Sequence, residues 1–154
     1  MKNRILLLVF TLITFNSFSQ KLSFSEVLKL REMSIGQVEE YLTSKGWDLT
    51  EEIEESQYSR AMNVFSFGDE SFISYYFSTE GVGLISVGFY KREEYSQYLA
   101  EIKKIGCDMV DSRMEDGDIV KYYSNASLYF KIITTTTENS FGEKSTFFSI
   151  LIDE

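Results

Sequence analysis

The pattern of apolar and polar positions divides this chain into stretches of helical period and stretches that alternate at every second residue. Ser23 followed by Glu26 fits a helix capping box, and Ser34 followed by Gln37 fits a second one. The apolar positions at helical spacing behind these caps are Phe24, Val27, Leu28, Leu30, Ile35, Val38 and Leu42. We therefore predict two short helices, which span about 24–32 and 35–45.

After an acidic stretch at 51–55, which we interpret as a loop or a short exposed strand, the period changes to two. Helical spacing returns once, from Arg92 to a stop at Gly106. Turn signals at 68–69, 81–83 and 115–118 predict hairpin connections. The predicted strands cover about 62–67, 72–77, 84–90, 107–112, 119–123, 128–136 and 146–152.

The order of these elements occurs twice along the chain. In the strands, residues 63–65 correspond to 120–122, and 71–78 correspond to 127–134. We therefore predict an α+β fold with an antiparallel sheet of about seven to eight strands and helices packed on one face. A tandem repeat of a helix plus three or four strands, over about 23–90 and 91–154, is its simplest description.

Alternation also predicts which side chains share a face of the sheet. We expect the helices to pack, through Val38, Leu42, Leu99 and Ile102, on Ile73, Tyr75, Phe77, Ile85, Val87, Phe89, Leu128, Phe130, Ile132, Phe148, Ile150 and Ile152. The opposite side, which we name the serine–aromatic face, carries Phe72, Ser74, Tyr76, Ser86, Gly88, Tyr90, Tyr129, Lys131, Phe147 and Ser149.

The serine–aromatic face has two interpretations. Aromatic residues suit strands, and single exposed tyrosines are common on protein surfaces. Rigid rings above small polar residues are also typical of interfaces, because they supply contact area at low entropy cost. On the second interpretation the candidate binding residues are Phe72, Tyr76, Tyr90, Tyr129 and Phe147.

The first nineteen residues have the layout of a secretory signal peptide. Lys2 and Arg4 precede a short apolar run, and Ser17 and Ser19 are small residues before a cut after Ser19. We expect an exported protein, periplasmic or secreted, whose residues 20–154 form one domain. The cut site lacks the cysteine of a lipoprotein, so we expect no membrane anchor after cleavage.

Charge and composition narrow the function further. The net charge is −9, which disfavours nucleic acid as a partner because phosphate backbones are repelled. The chain has no histidine, so it can form no histidine-based catalytic triad. We predict no metal and no cofactor. Cys107 is the single cysteine, and we expect it to be buried.

Two resemblances extend these expectations. The segment Asn16-Ser17-Phe18-Ser19-Gln20 resembles the signal-peptide ends of small exported proteins from Bacteroidetes-type bacteria. The order of a helix-turn-helix and a strand meander, twice over, resembles the tandem repeats of β-lactamase-inhibitor-protein-like domains. In that family an eight-stranded concave sheet rich in aromatics grips a partner protein, which implies a protein partner here. This chain lacks the repeat disulfides typical of those inhibitors.

These observations favour a binding module over an enzyme. We expect the serine–aromatic face to hold a protein or a small ligand. One alternative is a carboxylate-dependent hydrolase, which would need two facing carboxyl groups in a deep pocket. Another is a structural accessory of a cell-envelope complex, with the face buried in a permanent partner.

Overall fold

A computed structural model describes residues 21–54, 60–78, 81–138 and 140–153, apart from the side chains of 78, 81 and 82. Within these ranges the chain forms three helices and eight strands. Their bounds are α1 Phe24–Leu30, α2 Ile35–Ser44, β1 Asp48–Ile53, β2 Ala61–Phe67, β3 Ser71–Ser78, β4 Gly81–Phe89, α3 Arg92–Lys104, β5 Asp108–Glu115, β6 Asp118–Ser124, β7 Tyr129–Glu138 and β8 Lys144–Asp153.

The strands form one antiparallel sheet in the order β1-β2-β3-β4-β8-β7-β6-β5. Two consecutive meanders therefore meet where β4 pairs with β8, and β1 and β5 form the two edges. This arrangement confirms the predicted α+β fold. No helix in the described part of the chain is long and apolar enough to cross a membrane.

Both long helices end in the same way before the first strand of each meander. Gly46 and Gly106 each have a φ of 81°, a left-handed conformation that favours glycine. The next residue folds back in both cases: Trp47 N–H donates to the Leu42 carbonyl at 3.1 Å, and Cys107 N–H donates to the Ile102 carbonyl at 3.3 Å. This is the Schellman pattern, in which glycine lets the chain reverse while the last carbonyls stay hydrogen-bonded.

The two meanders also share an irregularity. The ladder shifts between Leu49 and Glu51 in β1, and between Met109 and Asp111 in β5. Each bulge begins three residues after the glycine that ends the helix: Leu49 follows Gly46, and Met109 follows Gly106. The same cap and bulge therefore start both halves, although the first half carries two helices and the second carries one.

The alignment of the halves read from the sequence is wrong by one residue in two strands. Asp48 pairs with Ser66 in the first half, and Asp108 pairs with Ser124 in the second. Phe65 therefore corresponds to Tyr123, not to Tyr122. A slip of one residue matters because it moves every side chain of a strand to the other face.

Two local predictions also change. Residues 51–53 of the acidic stretch belong to an exposed edge strand, β1, which was one of the two interpretations of that stretch. Residues 81–83, predicted as a turn, lie inside β4, where Val82 pairs with Phe77. The 115–118 turn is confirmed, since Asp116 and Gly117 both have positive φ, as a two-residue hairpin requires.

The core lies between the helices and one face of the sheet, as the alternation predicts. Buried side chains of the sheet are joined there by Trp47 and by the predicted Val38, Leu42 and Ile102. Cys107 belongs to the same cluster and is 2% exposed, which confirms its predicted burial. Burial raises the pKa of the Cys107 thiol, with a smaller contribution from Asp108.

One buried polar group ties α2 to the sheet. The Glu39 carboxylate accepts hydrogen bonds from Asn63 at 3.0 Å and from the Tyr75 hydroxyl at 3.1 Å. Burial is the main cause of a raised pKa for Tyr75, so the hydroxyl stays protonated and able to donate. The contact fixes the position of α2 along the strands, which apolar packing alone specifies less sharply.

The shared helix ending can be tested at Gly106. A Cβ there would meet no atom within 4 Å, so Gly106→Ala changes only the backbone preference. We expect a loss of about 1 kcal/mol in the free energy of unfolding, measured by urea denaturation, because alanine disfavours positive φ.

Gly36→Ala is the matched control. Gly36 lies inside α2, and a Cβ there also meets no atom within 4 Å. Alanine is the better helix former, so this variant should gain up to about 1 kcal/mol. Equal effects of the two substitutions would contradict the assignment of the Gly106 turn.

Candidate functional site

The strand registers bring all five candidate binding residues to the face away from the helices. Tyr76 lies opposite Met62, Phe72 lies opposite Gly88, and Tyr129 lies opposite Ser124. Phe147 pairs with Thr135, on the same side as Tyr90. The residues share one surface but not one cluster, because Tyr129 lies in the second half, apart from the others.

Three of the rings form a cluster at the centre of the sheet. Phe72 and Phe147 stack with their ring centroids 5.0 Å apart and their planes 10° apart. Tyr90 meets Phe147 at 5.1 Å and is itself 56% exposed. Phe72 comes from the first half and Phe147 from the second, so the cluster bridges the junction between β4 and β8.

Gly88 makes this ring stack possible. A Cβ at Gly88 would overlap the far ends of both the Phe72 and the Phe147 rings. Beside it, the Ser86 and Ser149 hydroxyls hydrogen-bond across the β4–β8 junction at 2.9 Å. Small residues therefore let the aromatic rings lie directly on the sheet. This explains physically why rings and small residues alternate on the serine–aromatic face.

A groove of about 620 Å³ opens beside this cluster. It lies entirely in the first half and is lined by Thr50, Glu51, Met62, Val64, Ser66, Gly68, Asp69, Ser71, Phe72, Ser74, Tyr76 and Tyr90. Phe72, Tyr76 and Tyr90 provide its aromatic surfaces, and the carboxylates of Glu51 and Asp69 belong to its lining. Such a mixture of apolar walls with a few polar groups is typical of ligand sites.

Tyr129 belongs to a different group of side chains, on the second half. Its ring meets that of Tyr122 at 5.7 Å, and Arg113 lies above Tyr122 with the guanidinium carbon 4.9 Å from the ring centroid. The Tyr122 hydroxyl donates to Glu115 at 2.7 Å and accepts from Arg113 at 2.9 Å. Lys131 donates to the other Glu115 oxygen at 2.9 Å.

Glu115 is the centre of this group. Hydrogen bonds from Tyr122, Lys131 and Arg113 lower the pKa of the Glu115 carboxyl to about 2. Sequence reasoning missed Tyr122, Arg113 and Glu115. The misaligned repeat gave Tyr122 the position of Phe65, which faces the helices, whereas the strand ladder gives that position to Tyr123.

The shifted carboxyl groups do not have the properties of a general acid. Cations and hydroxyls lower the pKa of Glu26, Glu70 and Glu115, and a catalytic acid at neutral pH needs a raised value. In the described ranges, no three acidic or cysteine side chains are grouped so that they could hold a metal ion.

Phe141 is another residue that sequence reasoning missed. It is 88% exposed, beyond the last pair of the β7–β8 ladder, Glu138 and Lys144. That ladder continues past its neighbours, because β6 pairs with β7 only as far as Thr134 and β4 pairs with β8 only as far as Phe148. The hairpin therefore extends beyond the rest of the sheet.

The fit of the rings to Gly88 predicts a measurable cost of adding one methyl group. Gly88→Ala should lower the free energy of unfolding by about 1–3 kcal/mol, because both rings must leave the sheet surface. Urea denaturation gives the stability, and the ring-current shifts of Phe72 and Phe147 in NMR spectra report the lost stack.

Gly83→Ala in the same strand is the control. A Cβ at Gly83 would make only ordinary contacts, 3.7 Å from Arg60 and 4.0 Å from the Tyr76 carbonyl. We expect a change within about 0.5 kcal/mol. An unperturbed stack in Gly88→Ala would show that the rings do not need the glycine.

The Glu115 group predicts a stability effect that depends on pH. The Glu115 pKa falls from 4.5 to about 2 on folding, so its contribution is complete above pH 4.5 and is lost as the pH falls through about 2. Glu115→Gln should therefore lower the melting temperature at pH 7, and the difference from the wild type should shrink towards pH 2. Glu40→Gln, an exposed change on α2 outside the group, is the control and should show no such convergence.

Comparisons with protein-family models, curated proteins and solved structures gave no match to this chain. The resemblance to tandem inhibitor repeats therefore stays a prediction. What the face can do follows from its own geometry: a rigid aromatic cluster, an open groove on one half, and on the other half the ion pairs of Glu115 beside Tyr122.

Proposed function

We propose that this chain is an exported binding module that holds a protein or a small ligand on the serine–aromatic face. The observation that carries the proposal is the groove of about 620 Å³ beside the stacked rings. All three helices belong to the other side of the sheet, where they form the core. The helices therefore do not cover the serine–aromatic face.

The rings are suited to binding because they are already ordered. Phe72 and Phe147 are held by their stack, and Tyr90 rests against Phe147. Little further side-chain entropy is lost when a ligand covers these rings, so more of the free energy of burial contributes to affinity. Buried Ser74 and Ser86 lie between the rings and keep the surface low enough for close contact.

The groove lies in the first half of the face and Tyr129 in the second, which separates two classes of ligand. A small ligand would occupy the groove and contact Phe72, Tyr76 and Tyr90. A protein partner would also reach Tyr129, which lies against Tyr122. Tyr129→Ala should therefore weaken binding of a protein partner and leave binding of a groove-sized ligand unchanged.

Export is supported by the N-terminal sequence pattern, whose residues lie outside the described ranges. Burial of Cys107 also suits an oxidising compartment, because a buried thiol with a raised pKa reacts slowly. The resemblance to tandem inhibitor repeats agrees with the choice of the sheet face as the binding surface.

The proposal is tested by removing the groove aromatics. Tyr76→Ala with Tyr90→Ala should abolish retention of partners that the wild-type protein captures from an envelope extract. The same double variant should lose saturation-transfer signals from aromatic fragments bound in the groove. We expect at least a tenfold loss of affinity, since buried aromatic anchors dominate such interfaces.

Phe141→Ala serves as the matched control, because it removes an exposed aromatic outside the face. Retention in this control, together with loss in the double variant, supports the proposal. If Phe141→Ala loses the captured partner while the double variant retains it, the binding surface is the β7–β8 hairpin and not the groove. A wild-type protein that is insoluble and aggregated without a partner would instead favour the role of a structural accessory.

A further inference from the structure

The eight-stranded sheet is open, so both of its edge strands offer unpaired backbone groups. Edge strands can pair with another chain, and proteins usually protect them with charges or bulges. β1 and β5 both have a bulge near their start. They differ in the charges that follow the bulge, and this difference decides what each edge can do.

β1 is protected against pairing with a copy of itself. Its six residues include the carboxylates Asp48, Glu51 and Glu52 and no basic residue. No antiparallel register of two β1 strands can therefore form an ion pair. Like charges that lie opposite each other across a ladder are destabilising.

β5 carries the opposite arrangement. Asp111 and Arg113 lie on the same face, one on each side of Ser112, and both are exposed. If a second β5 runs antiparallel about a two-fold axis at Ser112, each Asp111 lies opposite an Arg113. The part of the strand that follows the bulge is therefore complementary to itself in charge.

We infer that two copies of this chain associate through β5, antiparallel about Ser112. Met114, next to Arg113 in the strand, is 65% exposed in the single chain. The bulge between Met109 and Asp111 limits the regular pairing to the residues that follow it. The association is therefore reversible and depends on a few cross-strand pairs.

The side chain of Arg113 is held by partners within its own chain, so association exchanges one of these contacts for a contact across the axis. Its Nε donates to Glu115 at 2.6 Å and one terminal nitrogen donates to Tyr122, so the guanidinium has a fixed direction. The other terminal nitrogen lies 3.3 Å from Asp111 of the same strand. In the paired state it donates to the Asp111 of the second copy, and Asp111 of its own strand receives the Arg113 of that copy.

The association doubles the binding surface. A two-fold axis perpendicular to the sheet keeps the same face up in both copies, so the two serine–aromatic faces lie side by side. The inference does not depend on the proposed function, because none of the groove residues belongs to β5. Tyr76→Ala with Tyr90→Ala should therefore leave association unchanged.

Charge reversal provides the experiment. In sedimentation velocity over a range of concentrations, the wild type should form dimers. Asp111→Arg places two arginines opposite each other, and Arg113→Asp places two aspartates opposite each other. Each variant alone should raise the dissociation constant at least about tenfold.

The decisive sample is an equimolar mixture of Asp111→Arg and Arg113→Asp. In the heterodimer each arginine again lies opposite an aspartate. The mixture should therefore form heterodimers at the concentrations at which the wild type forms homodimers. The double variant Asp111→Arg/Arg113→Asp should recover the homodimer. A mixture that stays monomeric where the wild type is dimeric, or a wild type that stays monomeric throughout, would overturn the inference.

A disulfide cross-link tests the same pairing without a charge reversal, in case a charge variant fails to fold. Ser112→Cys brings two thiols opposite each other on the axis, at a spacing that a disulfide can span. It should form an intermolecular disulfide on mild oxidation, while buried Cys107 does not react. Thr43→Cys, exposed on α2, is the control and should remain monomeric; equal cross-linking of both variants would count against β5 pairing.

Discussion

The pairing of β4 with β8 is the contact on which the whole arrangement depends. It joins two separate meanders into one sheet, with Ile85, Val87 and Phe89 facing Ile152, Ile150 and Phe148. These pairs lie in the core beneath the helices. On the other face, the Ser86–Ser149 hydrogen bond and the rings above Gly88 cross the same junction. Without this ladder, neither the core nor the aromatic cluster would have a second half.

The single helical layer has a direct consequence for function. Helices cover one face of the sheet, so the other face and the two edge strands must be protected or used in other ways. The protein protects β1 with carboxylates, and it fills part of the open face with rings that stack on a glycine. The groove and the ion-paired group around Tyr122 then give the two halves different chemistry, although they share the same helix cap and the same bulge.

Most of the architecture could be predicted because it rests on local signals. Capping boxes gave the helix starts within a residue, and alternation assigned Ile73, Ile85 and Ile150 to the core side correctly. The alignment of the halves failed because sequence identity between them is too low to resolve a shift of one residue. That error hid Tyr122, and with it the roles of Arg113 and Glu115, since the face of a strand follows from its register.

The sequence by itself determined most helices and strands, the hairpins and the two-sided pattern of the sheet, because each depends on residue spacing along a local segment. The burial of Cys107 followed from the residue type. Only the tertiary structure decided that β4 and β8 became neighbours. That choice brought Phe72 of one half onto Phe147 of the other, made Gly88 necessary between them, and left β5 with Asp111 and Arg113 at an open edge. Contacts between distant segments depend on the ladder register, which no local pattern in this chain encodes.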